Sequence, residues 1–200
     1  MREVRVRIPD FVYWTGVQIL LLCRRIRYGY SFRKIPLSQG KFAIVDAEDY
    51  DRLNQFKWCA VKYGENYYAN RNGGKLGKFR RTFIVKMHRE VLNDPPGMIV
   101  DHINHNGLDN RKTNLRIVTR EQNLWNSRKN ISCRTSKYKG VTFFKRDNRW
   151  RAYITYKKKH IFIGSFLEEA AAARAYDEKA KELFGQYAFL NFPPSKNYTN

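Results

Sequence analysis

Apolar and polar positions alternate along this chain in short blocks, and each block predicts an element. Residues 41–45 are a compact apolar run that reads as a strand, and the acidic stretch 46–50 behind it suits the first turn of a helix. Residues 56–61 and 67–70 read as two more strands, with Gly64-Glu-Asn66 as the turn between them. From Arg71 to Lys78 there are three glycines and no apolar period, so a basic hairpin loop is predicted. A strand at 83–87 and a short helix at 88–92 follow. Asn93-Asp-Pro-Pro-Gly97 stops that helix, because proline cannot continue it.

Residues 126–137 are polar, basic and without apolar period, which reads as a linker. Beyond it, 140–144, 150–155 and 160–163 are three strands in succession, joined by basic connections of hairpin length. Residues 167–184 predict a helix: Ala173, Tyr176, Ala180 and Leu183 make one stripe, Glu168 and Glu169 suit its start, and Gly185 its end. Strand alternation puts Val141, Phe143, Ala152, Ile154, Ile161 and Ile163 on the face that would meet this helix. Thr142, Phe144, Arg151, Tyr153, Thr155, His160 and Phe162 then face outward. Neither half shows an internal repeat. The expected class is α+β: a ββα-like module over residues 35–130, a linker at 131–137, and a three-stranded antiparallel sheet packed on one helix over 138–193. Residues 1–34 are a leader of unknown role and 194–200 a tail. Within the leader, the apolar run 11–23 is broken by Thr15, Gly16 and Gln18 and falls short of the roughly 20 apolar residues a membrane span needs. Arginines flank it and no small-residue cleavage site follows. It reads as a buried helix or an unrelated leader, and no membrane partner is expected.

Charge narrows the function. Lys and Arg number 39 against 18 Asp and Glu, a net charge of +21. A surplus that large repels itself unless a polyanion supplies counter-charge, and nucleic acid is the commonest such partner. With 42% hydrophobic residues the chain has material for ordinary cores, which argues against wholesale disorder. Cys23, Cys59 and Cys133 are odd in number, far apart and without a CxxC pair, so neither a disulfide framework nor a zinc site is indicated. A cytoplasmic location, in a bacterium or a phage-infected host, fits best. The sequons at Asn130 and Asn197 would matter only in a secreted protein.

Candidate chemistry gathers in residues 100–116, where Asp101, His102 and several asparagines crowd a loop-rich segment. These residue types suit phosphodiester hydrolysis. A neutral imidazole can deprotonate water at neutral pH, and Asp and Asn oxygens suit Mg²⁺ or Mn²⁺. Acidic ligands are too few for a two-metal site, so one divalent metal is expected. By composition alone, a structural turn stands beside this reading, since Asn, Asp and Gly also make ordinary turns.

Met87-His-Arg89, Val100-Asp-His102, Leu108-Asp-Asn-Arg-Lys-Thr-Asn-Leu-Arg116 and the run through Val118-Thr119 to Asn123 resemble the HNH homing endonucleases of phage and introns. The resemblance implies a ββα-metal (His-Me finger) nuclease module with one divalent metal. Carried over by position, it makes Asp101 and Asn123 the metal ligands and His102 the general base. Asn114 becomes the middle asparagine that ties the loop and orients His102, and Asn123 projects from a helix beginning near Thr119. Asn114 reads as structural more than chemical, His88 as a helix-opening structural residue, and His105 as a solvent-exposed loop residue. Arg116 and Arg120 either hold phosphates or decorate a solvated face.

A second resemblance covers 137–193. Tyr138-Lys-Gly-Val141, Trp150-Arg-Ala-Tyr-Ile154, Ile163-Gly-Ser-Phe166, Glu169 to Asp177 and Ala188-Phe-Leu-Asn-Phe-Pro193 are similar to the Apetala/ethylene-response-factor DNA-binding domain. That family lays its sheet into the major groove with the helix behind. The outward residues named above would then face DNA, with Lys139, Lys145, Arg149, Lys157 and Lys158 at the phosphates. Thr142, Phe144 and Thr155 stand where the plant domains place base-reading arginines, so the plant target sequence does not transfer. Together the resemblances imply a metal-dependent, homing-type endonuclease acting on double-stranded DNA, as monomer or homodimer. The alternative is a non-catalytic DNA-binding regulator with a degenerate nuclease half.

Overall fold

The computed structural model describes residues 9–75, 82–128 and 135–194, so Cys133 and both sequons lie outside the described residues. The chain divides into two compact units, one ending at Ile117 and the other beginning at Val118.

The first unit opens with helix α1 (Asp10–Tyr28). The expectation of a buried helix fails here: of its side chains only Val17 is buried, and Phe11, Trp14, Ile19, Leu22 and Ile26 are exposed. Apolar residues surround the helix rather than forming one stripe, so packing can cover only part of them. Among the described residues no helix is long and apolar enough to cross a membrane. Strand β1 (Arg33–Pro36) pairs antiparallel with β2 (Phe42–Val45), and α2 (Ala47–Asn54) follows. An antiparallel sheet of β3 (Cys59–Tyr63), β4 (Asn66–Lys75) and β5 (Thr82–Lys86) comes next. The loop predicted from Arg71 is therefore strand as far as Lys75. Arg71, Asn72 and Lys75 pair with Val85, Ile84 and Thr82, and the register shifts where Gly73 and Gly74 fall. Those glycines hid the strand, because they erase its alternation while allowing an irregularity in the ladder. Residues 76–78 of that loop lie outside the described residues. Helix α3 (Met87–Val91) leads to β6 (Ile99–His102), which pairs with β7 (Leu115–Val118). Ile35, Val45, Leu53, Trp58, Met87 and Val100 lie in the core on which these pieces meet.

The second unit holds α4 (Arg120–Asn126), the antiparallel sheet of β8 (Val141–Phe144), β9 (Arg149–Tyr156) and β10 (Lys159–Phe166), and α5 (Glu169–Phe184). A capping box starts α4: Thr119 Oγ1 accepts from the Gln122 N–H, and Gln122 Oε1 accepts from the Thr119 N–H. Val141, Ala152 and Ile154 are buried against Ala172, Ala173, Tyr176 and Ala180, the small residues letting helix and sheet approach closely. Buried Asp177 fastens the closing segment by accepting from the N–H groups of Asn191 and Phe192, both at 2.8 Å.

The sequence groups α4 with the nuclease and places a linker at 131–137. By its contacts, α4 is counted with the second unit. The Trp125 ring stacks on Phe184 at 4.8 Å and 11°, and the Phe189 N–H donates to the Trp125 carbonyl at 3.2 Å.

Gly140 is the tightest point of this unit. Its φ is +75, and a Cβ there would overlap the Tyr176 ring and lie 2.7 Å from the Tyr153 carbonyl oxygen. Gly140→Ala should destabilise the second unit by about 3 kcal/mol or more, through strained backbone and overpacking together. Denaturant unfolding followed at the β8–β10 amides checks this, and an unchanged midpoint would refute it.

Candidate functional site

Residues 102–114 form a loop locked by its own amides. Asn114 is its tie: its Oδ1 accepts from the Asn104 N–H at 3.0 Å, and its Nδ2 donates to the Asp109 carbonyl at 2.8 Å. Asn104 and Asn106 each accept from the N–H two residues on, the local turn chemistry asparagine offers. The loop is also hung on β2, with Ile44 N–H donating to Leu108 O at 2.8 Å and Asn110 N–H to Ile44 O at 2.7 Å. At Gly107 a side chain would overlap the Tyr67 carbonyl and the Tyr68 ring, so the loop lies flat on β4. Asp109 takes Arg111 in a fork at 2.7 and 2.6 Å. Burial alone would raise the Asp109 carboxyl, but the Arg111 hydrogen bonds and charge, with Asn104, hold it below the ordinary value. Sequence reasoning missed this pair and Asn110, because in a stretch of Asp, Asn and Arg nothing marks which residues turn inward.

His102 ends β6 in a buried pocket. Its Nε2 lies 3.3 Å from Asn110 Oδ1, and the rings of His88 and Tyr68 stand against it edge-on at 5.0 and 5.7 Å. Burial pushes the His102 pKa down, opposed by the Asn110 hydrogen bond and by the charges of Asp101 and Asp109. His88 falls further, to about 3, by burial and then by the charges of His102, Lys86 and Arg89. Both shifts favour the neutral rings. His105 sits half-buried in the loop with φ +59, its N–H donating to the His102 carbonyl at 3.0 Å.

Asp101 precedes His102 on β6, and its Oδ2 accepts from Arg116 Nε at 3.0 Å and Nη2 at 2.9 Å. Arg116 is thus paired with Asp101 rather than extended into solvent, while Arg120 is exposed. Asn123 stands half-buried on α4 in the second unit. Among the described residues no three of His, Cys, Asp and Glu converge as a metal cluster. The candidate ligands Asp101 and Asn123 offer oxygen only, which fits a hard cation that keeps several waters, such as Mg²⁺ or Mn²⁺.

On the sheet of the second unit Thr142, Thr155, His160 and Phe162 are exposed, and Phe144, Arg151 and Tyr153 half-buried. Arg151 lies over the Phe144 ring at 3.6 Å, and Tyr153 packs on Phe162 at 5.4 Å. Lys145, Arg149, Lys157 and Lys158 are exposed in the connections. Lys157 and Lys158 both have positive φ, +48 and +63, in a two-residue turn that glycine and asparagine usually fill. Keeping two lysines there costs stability, as at functional positions elsewhere. Lys139 differs from the sequence expectation. Its Nζ donates to the carbonyls of Trp125 at 2.8 Å and Ser127 at 2.7 Å, closing the end of α4, and burial lowers it to about 8. Beside the sheet a groove of about 950 Å³ is lined by Trp125, Lys139, Tyr153 and Thr155 among others.

Residues 94–124, which contain Asp101, His102, Asn114 and Asn123, match the HNH endonuclease family. The chain is 29% identical over 160 residues to an uncharacterized HNH endonuclease of Acanthamoeba polyphaga mimivirus, covering 80% of each. It is 36% identical over 95 residues to protein 3.8 of Escherichia phage T7, covering 47% of this chain and 76% of that protein. Its C-terminal region is 41% identical over 66 residues to an AP2-like ethylene-responsive transcription factor of Arabidopsis thaliana, of which it spans only 14%. The chain belongs to the HNH endonuclease family and carries an AP2-like DNA-binding region at its C-terminal side.

Proposed function

We propose that this chain is a metal-dependent, homing-type endonuclease that hydrolyses phosphodiester bonds of double-stranded DNA inside the cell. The observation that carries the reading is a neutral, buried His102 beside Asp101 on β6, in front of a loop that Asn114 ties shut. His102 takes a proton from the attacking water, and a lowered pKa keeps its lone pair available at neutral pH. Asp101 and Asn123 would hold one Mg²⁺ or Mn²⁺. Such a cation, when bound, stabilises the charge that develops on the scissile phosphate. Arg116, already beside Asp101, adds positive charge at the same place. Thr142, Phe144, Arg151, Tyr153, Thr155, His160 and Phe162 form the face offered to bases, with Lys145, Arg149, Lys157 and Lys158 at phosphates.

Incubating the protein with supercoiled plasmid and Mg²⁺ or Mn²⁺ should give open-circle or linear DNA, and EDTA should prevent it. Open circles point to a monomer that nicks, linear products to paired active sites. Tight binding without cleavage, on plasmid and on pooled genomic DNA alike, would replace this reading with that of a non-catalytic DNA-binding regulator.

A further inference from the structure

We infer that Asn110 is a positioning residue that fixes the tautomer of His102, with the hydrogen on Nε2 and the proton-accepting lone pair on Nδ1. This rests on the nuclease reading for its consequence, though not for its geometry. Asn110 is 1% exposed and His102 5%, so their side chains meet away from bulk water. Asn110 Oδ1 faces His102 Nε2 at 3.3 Å. An amide oxygen can only accept, so the ring nitrogen facing it must carry the hydrogen, and the other nitrogen is left with the lone pair.

Three further observations support an arrangement built for the ring. The Asn110 main chain is fixed by its N–H donating to the Ile44 carbonyl at 2.7 Å, which holds the residue in place independently of its side chain. Among the described residues its buried Nδ2 has no hydrogen-bond partner, so the contact with His102 is what the amide provides. A half-satisfied buried amide costs about 1–3 kcal/mol and is expected where it serves something other than stability. The other neighbours, Tyr68 and His88, meet the ring edge-on and set its plane without choosing between its nitrogens. The opposite orientation of the Asn110 amide would place Nδ2 at the ring and reverse the tautomer, so the assignment has a definite opposite.

In the reaction, Nδ1 takes a proton from the attacking water as the water oxygen bonds to phosphorus. The bond from phosphorus to the leaving sugar oxygen breaks, and that oxygen takes up a proton from solvent. The imidazolium keeps its Nε2–H on Asn110 Oδ1 throughout.

Long-range ¹H–¹⁵N NMR of the full-length, histidine-labelled protein reads the tautomer directly. The wild type should show His102 as the Nε2–H form. Asn110→Leu, which removes the acceptor, should give a mixture or the reverse form, and Asn110→Asp, which keeps one, should retain Nε2–H. Cleavage should follow: kcat lower by about 100-fold in Asn110→Leu, KM for DNA changed less than about threefold, and partial recovery in Asn110→Asp. An Nδ1–H form in the wild type overturns the inference, even if no variant folds. So does an Asn110→Leu protein with wild-type tautomer and kcat. A wild type that shows Nε2–H and cuts no DNA supports the assignment and sinks the nuclease reading instead.

Discussion

Replacing His102 with alanine should slow cleavage of bound plasmid by a factor of about 10² to 10⁴ and leave DNA affinity within about twofold. The asymmetry follows from where the ring lies. It is buried beneath the loop, among His88, Tyr68 and Asn110, so it adds almost nothing to the surface that meets phosphates. Its neighbour His88 cannot substitute. With its pKa pushed to about 3, His88 always has a lone pair but holds a proton too weakly to take one from water efficiently. Single-turnover rates with the protein in excess over DNA, beside a binding titration, separate the two effects. A variant that cuts at the wild-type rate would remove His102 from the chemistry. One that loses binding and rate together would mean the loop has collapsed, and circular dichroism would report it.

Much of the fold was legible because its elements are local. The three strands and helix of the second unit were readable to within a few residues from alternation, hairpin-length connections and the Ala173–Leu183 stripe. Val141, Ala152 and Ile154 duly face the helix. What stayed hidden depends on partners distant in sequence. Strand β1 is only four residues long and contains Pro36 and a buried Arg33, so no alternation of apolar and polar types announces it. Lys139 reads as one more surface cation in a basic chain; only the folded unit reveals the α4 carbonyls around it. In the candidate site, Asp101, His102 and Asn114 stood out as a cluster of chemical types. Asn110 did not, since an asparagine that turns inward and one that makes a turn look the same in sequence.

Removing residues 135–200 should abolish cleavage even when DNA is saturating, rather than only weaken binding. An AP2-like region used as a detachable address would predict otherwise: affinity would fall and excess DNA would restore the rate. The contacts of α4 argue against that. At seven residues this helix is far below the roughly 12–15 at which isolated helices become even marginal in water. Its support within the second unit is Phe184 stacked on Trp125, Phe189 bonded to the Trp125 carbonyl, and the Lys139 ammonium on its final carbonyls. All three partners are lost in the truncation, and Asn123, the proposed metal ligand, rides on the helix they hold. The truncated protein should therefore bind DNA with a shallower salt dependence, because fewer phosphates are contacted. It should also cut more than about 100-fold more slowly at any DNA concentration, as expected when a ligand's support is removed. Amide NMR signals of β1 to β7 would show whether the first unit survives. If those signals persist and excess DNA restores the wild-type rate, α4 is held without the module, and binding and cleavage are separable after all.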